Sequence, residues 1–330
     1  STTAHGKGKP AGGVFREPAL SLRQYPITGG KLSMHGPVSI VTPSLNQGKF
    51  LERSVRSVLE QRGVAVEYFI ADGGSSDGSP DILRRYQDRL RWISEPDGGQ
   101  SSAVNRALRA TNGEVIGWLN SDDVYYPDAL LRAVEAFQAE QDIDVVYGRA
   151  NWIDESDAVI AEYPTEPWDF KRLMETCFIC QPAVFFRRRV LRRFGLLDES
   201  LQYCMDYEYW LRLARGGARF AHIDDVLAGS RLHAETKTVS RRLEVHREIC
   251  GMFRERFGLV PGAWLLGYGK AAAAAAGLTP DRPVGYAART IWASLKAAMH
   301  YNGRPDRQWV SAVSGWVRKH APVAIRRERK

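Results

Sequence analysis

The chain is poor in the features that define several protein classes. Its four cysteines, at 177, 180, 204 and 250, are too few to staple 330 residues, and no second Cys-x-x-Cys stands ready to complete a zinc site with Cys177 and Cys180. No apolar run approaches the roughly 18 residues that span a bilayer, and the N-terminal stretch lacks the apolar core of a secretion signal, so the expected compartment is the cytoplasm. Neither Gly-x-Gly-x-x-Gly nor a Walker lysine motif occurs, which leaves dinucleotide-binding and P-loop readings without support. What is present is an ordinary globular composition, 44% hydrophobic and 25% charged, in a chain long enough for two domains or one large α/β domain with an appendage.

The net charge of +8 is unevenly spread. Residues 251–330 hold 14 Lys and Arg against 4 Asp and Glu, which leaves the first 250 residues slightly acidic. A nucleic-acid-binding domain would carry a basic stripe on its body, so no nucleic-acid partner is expected; a near-neutral body with a basic end instead suggests surface anchoring.

Residues 1–36 are rich in Gly, Pro, His and Lys with little periodicity and read as a flexible leader. From Val38 onward β-branched runs alternate with helical patterns. Strands are expected at Val38–Thr42, Val64–Ala71, Leu90–Ser94 and Val115–Leu119, and helices at Phe50–Gln61, Asp81–Arg89 and Ser101–Ala110. Strands separated by helices of this length imply βαβ units and a parallel, doubly wound sheet, in which ligands bind beyond the carboxyl ends of the strands.

Those ends share a chemistry. They read Thr42-Pro43-Ser44-Leu45-Asn46, Asp72-Gly73-Gly74-Ser75, Glu95-Pro96-Asp97-Gly98-Gly99 and Asn120-Ser121-Asp122-Asp123. Glycines let backbone N–H groups approach a ligand, and helix N-termini favour anions. Carboxylates alone would repel a phosphate; a divalent cation, Mn²⁺ or Mg²⁺, held between them and a diphosphate reconciles the mixture. Any one such cluster is also an ordinary turn or helix cap.

Val38–Asn46, Ile70–Ser79, Glu95–Ala110 and Trp118–Leu130, in that order and spacing, resemble the successive motifs of the family 2 glycosyltransferases with the GT-A fold, over roughly residues 37–240. The resemblance implies an α/β, Rossmann-like, mostly parallel sheet flanked by helices, with residues 241–330 as a helical basic extension. It also implies an inverting enzyme that moves a sugar from a nucleotide diphosphate to a hydroxyl acceptor, a saccharide or lipid-linked saccharide, with a divalent metal. By position, Thr42, Pro43 and Ser44 would run along the nucleotide and Asp72 would read the base. Asp97 and Gly98 would lie near base and ribose, with Asn105 and Asn120 completing the nucleotide site. Asn120-Ser121-Asp122 stands in the place of Asp-x-Asp, so Asp122, with Asp123 beside it, is the implied metal ligand. The His of Arg231-Leu232-His233 would complete the metal set.

In the second half, Cys177–Phe186 is apolar apart from Gln181-Pro182 and runs into Arg187-Arg188-Arg189. It reads as a buried edge strand ending in a solvated basic turn, with Gln181 and Pro182 as acceptor-site candidates because a polar side chain in an apolar run usually has a dedicated partner. A helix from about Asp206 to Gly216 would set Asp206 at the head of a stripe of Tyr209, Trp210 and Leu213, with Glu208 and Arg212 as an exposed i,i+4 pair. Asp206 could simply cap this helix. The resemblance instead makes it the catalytic base, with Met205 where the family has Glu. Beyond residue 250, Trp309, Val313, Trp316 and Val317 share a helical face ahead of a basic end. That pattern suits a helix on an anionic membrane, at the inner face, and equally one packed on the catalytic body. A nucleotidyltransferase of similar fold and a non-catalytic lipid- or nucleic-acid-binding module are the alternative readings.

Overall fold

The computed structural model describes residues 36–327 except 235 and 237–239, with side chains placed as far as residue 320. The leader expected at residues 1–36 thus lies almost wholly outside the described residues.

Four strands, β1 (Val38–Ser44), β2 (Val66–Asp72), β3 (Arg91–Ser94) and β4 (Val115–Trp118), alternate with α1 (Gly48–Leu59), α2 (Ser79–Arg85) and α3 (Gln100–Ala110). They pair in parallel in the order β3-β2-β1-β4, as the βαβ pattern predicts. The second half adds β5 (Val124–Tyr125), α4 (Ala129–Ala139), β6 (Val145–Ile153), β7 (Val159–Glu162), α5 (Phe170–Glu175), a 3₁₀ turn Gln181–Ala183, β8 (Val184–Arg187), α6 (Arg189–Phe194), α7 (Met205–Arg215) and β9 (Phe220–Arg231). These strands extend the sheet to nine, in the order β3-β2-β1-β4-β8-β6-β9-β5 with β7 beside β6. Among them only β6 and β9 pair in parallel; β4–β8, β6–β8, β6–β7 and β5–β9 are antiparallel.

Both faces of the sheet are covered, and the strands show it by period-two alternation. Ile40, Ile70, Val146 and Phe185 enter one core with Leu51, Val55 and Val58 of α1 and Leu130 and Phe137 of α4. Val41, Phe69, Val145 and Phe186 enter the other with Ala103, Val104 and Ala107 of α3 and Tyr209, Trp210 and Leu213 of α7.

Two expectations are corrected here. The run ending at Arg187 is no edge strand: β8 lies at the centre, between β4 and β6. Its basic end is only partly solvated, with Arg189 exposed and Arg187 and Arg188 turned inward. Arg187 has a side chain 3% exposed and donates to the carbonyls of Ile143 and Phe137, while Arg188 donates to the Gly113 carbonyl. Nor is Glu208 exposed. It is buried and bridges Arg212 at 2.9 Å, and that guanidinium also donates to the carbonyls of Phe194 and Leu196. A period-3.6 pattern cannot reveal a carboxylate on the buried side when its cation follows it there.

Four helices follow: α8 (Arg242–Phe257), α9 (Gly262–Ala275), α10 (Pro283–Asn302) and α11 (Arg307–Arg327). Val245, Ile249, Phe253 and Leu265 join the α7 side of the core without interruption. Gly269 permits the close approach of α9 to α10, since a Cβ there would lie 2.3 Å from the Thr290 carbonyl oxygen. The tryptophan stripe of α11 is turned onto these helices: Val313 is buried, Trp309 Nε1 donates to Ser294 Oγ, and Trp316 meets Tyr286 edge-on.

Candidate active site

The strand-end loops meet at the carboxyl edge of β1, β2 and β4. Asn46, at φ 52°, receives the Ser76 N–H on its side chain and donates its own N–H to Ser75 Oγ, tying the first loop to the second. The second meets the third at Gly73, where a Cβ would stand 3.0 Å from Asp97 Oδ2. Against this rim lies a cavity of about 730 Å³, lined by Pro43, Ser44, Asp97, Asn120, Asp122, Asp123, Gln181, Pro182, Asp206 and His233 among others. Residues named from distant parts of the sequence therefore share one cleft.

Four named residues are not on its wall. Thr42 is buried beneath it, against the Tyr68 hydroxyl at 3.1 Å. The Asp72 carboxylate, 1% exposed, is filled by Ser75 N, Ser75 Oγ and Ser94 Oγ, so it shapes the loop from behind instead of presenting itself to a base. Gly98 lines the adjoining shallow hollow with Arg106, Arg109 and Glu199. Asn105 is the clearest correction. Its side chain receives the Leu197 N–H and donates to the Leu197 carbonyl and to Glu199, clamping α3 to the segment ahead of α7. The helical stripe in sequence could not say which neighbour that amide would meet.

Asn120 is a hub. Its Oδ1 accepts from Trp118 Nε1 and Gln100 Nε2, both at 2.9 Å, and its Nδ2 donates to Gln181 Oε1 at 2.8 Å. Gln181 in turn donates to the Trp118 carbonyl at 2.6 Å, the dedicated partner expected of a polar residue in an apolar run. An aspartate could accept the first two bonds but could not donate the third, which is a physical reason for Asn in this place.

Asp122 Oδ2 stands 3.0 Å from His233 Nε2, and the His233 ring packs on Phe50 at 4.9 Å. The loop is held by Arg231, whose fully buried guanidinium donates to the carbonyls of Asp122 and Asp154 and lies 5.0 Å over the Phe50 ring. Asp123 is engaged within the protein: its carboxylate accepts the Arg231 N–H at 2.8 Å, and burial, then the Asp122 charge, push it well above the usual carboxylate range. Among the described residues no group of three or more His, Cys, Asp or Glu converges on one point. A cation here would take one carboxylate and one imidazole from the protein and need its remaining oxygens from phosphate or water, a donor set that fits Mn²⁺ or Mg²⁺.

Asp206 lines the same cavity from the first turn of α7. The N-cap is Cys204, so Asp206 is not the cap. Burial raises its carboxyl to about 6, against the pull of the Tyr207 and Asp206 backbone N–H groups. The wall around it is aromatic, with Trp152, Tyr163, Tyr203, Tyr207 and Trp264. Trp264 comes from α9 and donates to the Tyr207 hydroxyl and the Met174 carbonyl. Composition alone gave no sign that this tryptophan would reach the site.

The Asp122–His233 pair and Asp206 thus share one cleft beyond the carboxyl ends of a doubly wound sheet, and the fold is of the GT-A type. Residues 39–195 match the model of Glycosyl transferase family 2, which makes this part of the chain a family 2 glycosyltransferase domain. It is 30% identical over 214 residues to chondroitin synthase of Escherichia coli, covering 64% of this chain and 31% of that protein. It is 28% identical over 243 residues to an uncharacterised glycosyltransferase of Rickettsia prowazekii, covering 68% and 74%. The fold is that of the Pyrobaculum calidifontis mannosyltransferase solved with GDP-Man and Mn²⁺, at TM-score 0.55 and 20% identity over 91% of this chain and 90% of that one.

Proposed function

We propose that this glycosyltransferase moves a sugar from a nucleoside diphosphate to a hydroxyl acceptor with inversion, in assembly of a cell-surface polysaccharide or glycolipid. The single observation that carries the reading is that the Asp122–His233 pair and Asp206 line one cavity. Pro43, Ser44 and Asp97 would hold the nucleotide, Asp122 and His233 the cation, and Gln181 and Pro182 the acceptor side. The cation, when bound, would stabilise the charge developing on the departing diphosphate. Asp206 would take the proton of the acceptor hydroxyl as that oxygen attacks the anomeric carbon from the face opposite the diphosphate. The C–O bond to the diphosphate breaks, its electron pair leaves with the phosphate, and a glycosidic bond of reversed configuration forms. An acid partner is not needed, because a nucleoside diphosphate leaves without protonation, unlike the alcohol released when a sugar–sugar bond is hydrolysed.

The aromatic wall supports a saccharide acceptor, since sugar C–H faces pack on aromatic rings. Titrating the protein with UDP- and GDP-sugars, with and without Mn²⁺, tests the donor: stabilisation by one donor only when metal is present supports the reading, and indifference to all opposes it.

No helix among the described residues is long and apolar enough to cross a membrane. A contact at the inner membrane face is better supported by α10 than by the α11 stripe, because Val284, Trp292 and Met299 are exposed on one side of α10 with Lys296 over the Trp292 ring. Flotation with anionic liposomes should be weakened in Trp292→Glu; equal flotation opposes this contact.

A further inference from the structure

Glu248 belongs to α8, beyond the residues that match the family, yet it reaches back to the base. Its Oε2 accepts the N–H of Gln202 at 2.8 Å, and its Oε1 accepts those of Tyr203 at 2.7 Å and Cys204 at 2.8 Å. Three consecutive backbone donors at the mouth of α7 thus end on one carboxylate. No side chain of the segment caps them, since Cys204 makes no capping bond. Left unpaired in this half-buried place, each donor would cost on the order of 1–3 kcal/mol.

We propose that Glu248 is a positioning residue for the transfer reaction, fixing the entry of α7 so that Asp206 faces the cavity and keeping a negative charge beside that carboxyl. The inference rests on Asp206 as the base and makes the C-terminal helices part of the catalytic unit. The same segment is pinned by Asn105 through Leu197 and Glu199, and by Arg256 of α8 to Asp198, so Glu248 closes the last unsupported stretch before the helix.

The titratable groups that face Asp206 are Tyr163, Cys177, Cys180, Cys204 and Glu248. Burial pushes the tyrosine and the three thiols up, so they are neutral near pH 6, which leaves Glu248 as the one carboxylate of the set. Its charge disfavours ionisation of Asp206, in the same direction as burial. A glutamine at 248 would have the volume but would aim an NH₂ group at one of the three donors.

The test uses the full chain labelled with ¹³C at aspartate and asparagine, with neither donor nor acceptor. In Glu248→Gln the Asp206 carboxyl should titrate at lower pH than in the wild type, and the amides of residues 202–204 should exchange faster. In Glu248→Asp, which keeps the charge but shortens the reach, faster exchange should appear with the Asp206 midpoint unmoved. A purely structural role would alter exchange in both variants and leave the midpoint fixed in both. An unmoved midpoint in a folded Glu248→Gln overturns the proposal, as does unchanged exchange in either variant. If Glu248→Gln does not fold, Glu248→Ala, which also removes the charge, takes its place with the same two readouts: a lowered Asp206 midpoint with faster exchange supports the proposal, and an unmoved midpoint overturns it. Because no turnover is measured, failure here leaves the transferase reading standing, and loss of transferase activity would not alter these readouts.

Discussion

Asp122 Oδ2 and His233 Nε2 lie 3.0 Å apart, although 111 residues separate them in the chain. Arg231, two residues before the histidine, carries both through its bonds to the Asp122 carbonyl and the Asp123 carboxylate. A carboxylate and an imidazole this close could both reach one cation. Replacing His233 with Ala should weaken Mn²⁺ binding in the presence of a nucleoside diphosphate by roughly tenfold or more, because losing even an outer partner of a ligand costs 10–100-fold. Calorimetric titration of Mn²⁺ checks this; unchanged affinity would remove His233 from the set.

Asp206→Asn should abolish turnover and leave donor affinity nearly intact, since the carboxylate is asked to act only on the acceptor proton. The same substitution should stabilise the fold at pH 8. The carboxyl is raised from 3.8 to about 6, so its stabilising protonated form is fully present below about 3.8 and lost as pH rises through about 6. Removing the charge should therefore recover up to about 3 kcal/mol at pH 8 and nothing near pH 4, at about 1.4 kcal/mol per unit. Thermal melts of both proteins at the two pH values measure the difference.

The pH–rate profile follows from the same group. A base must be ionised to accept a proton, so kcat/KM should fall on the acid side with a midpoint near 6, tenfold per unit below it. An acid limb near 4 would mean that the working carboxylate is a solvated one.

Asn120→Asp restores the motif that the family resemblance leads one to expect, yet it should harm this protein. The Gln181 carbonyl would lose its donor, and a third carboxylate would join Asp122 and buried Asp123. A loss of about 1–3 kcal/mol is expected from the unpaired acceptor alone. A denaturant midpoint equal to that of the wild type would contradict the hub.

How much of this was legible in the sequence differs from element to element. The β1–β4 half was, because alternating β-branched runs and amphipathic helices leave few topologies, and glycine-rich acidic loops mark their ligand edge. The place of β8 was not: nothing local distinguishes an apolar run inserted antiparallel at the centre of a sheet from one at its edge. Asp122, His233 and Asp206, which line one cavity, were legible through the family resemblance. Residues that act by holding another segment were not. Asn105 resembled a ligand contact and is a clamp, while Glu248 is one acid among many on a helix, its three amide partners more than 40 residues away.

The central claim is inverting transfer with Asp206 as base, and its most direct test is the product released from UDP- and GDP-sugars with Mn²⁺, water serving as acceptor. The account predicts free nucleoside diphosphate and a sugar of inverted anomeric configuration by NMR from the wild type, and neither from an Asp206→Asn variant that still binds the donor. Pyrophosphate as product, retained configuration, or equal rates in the variant would contradict it.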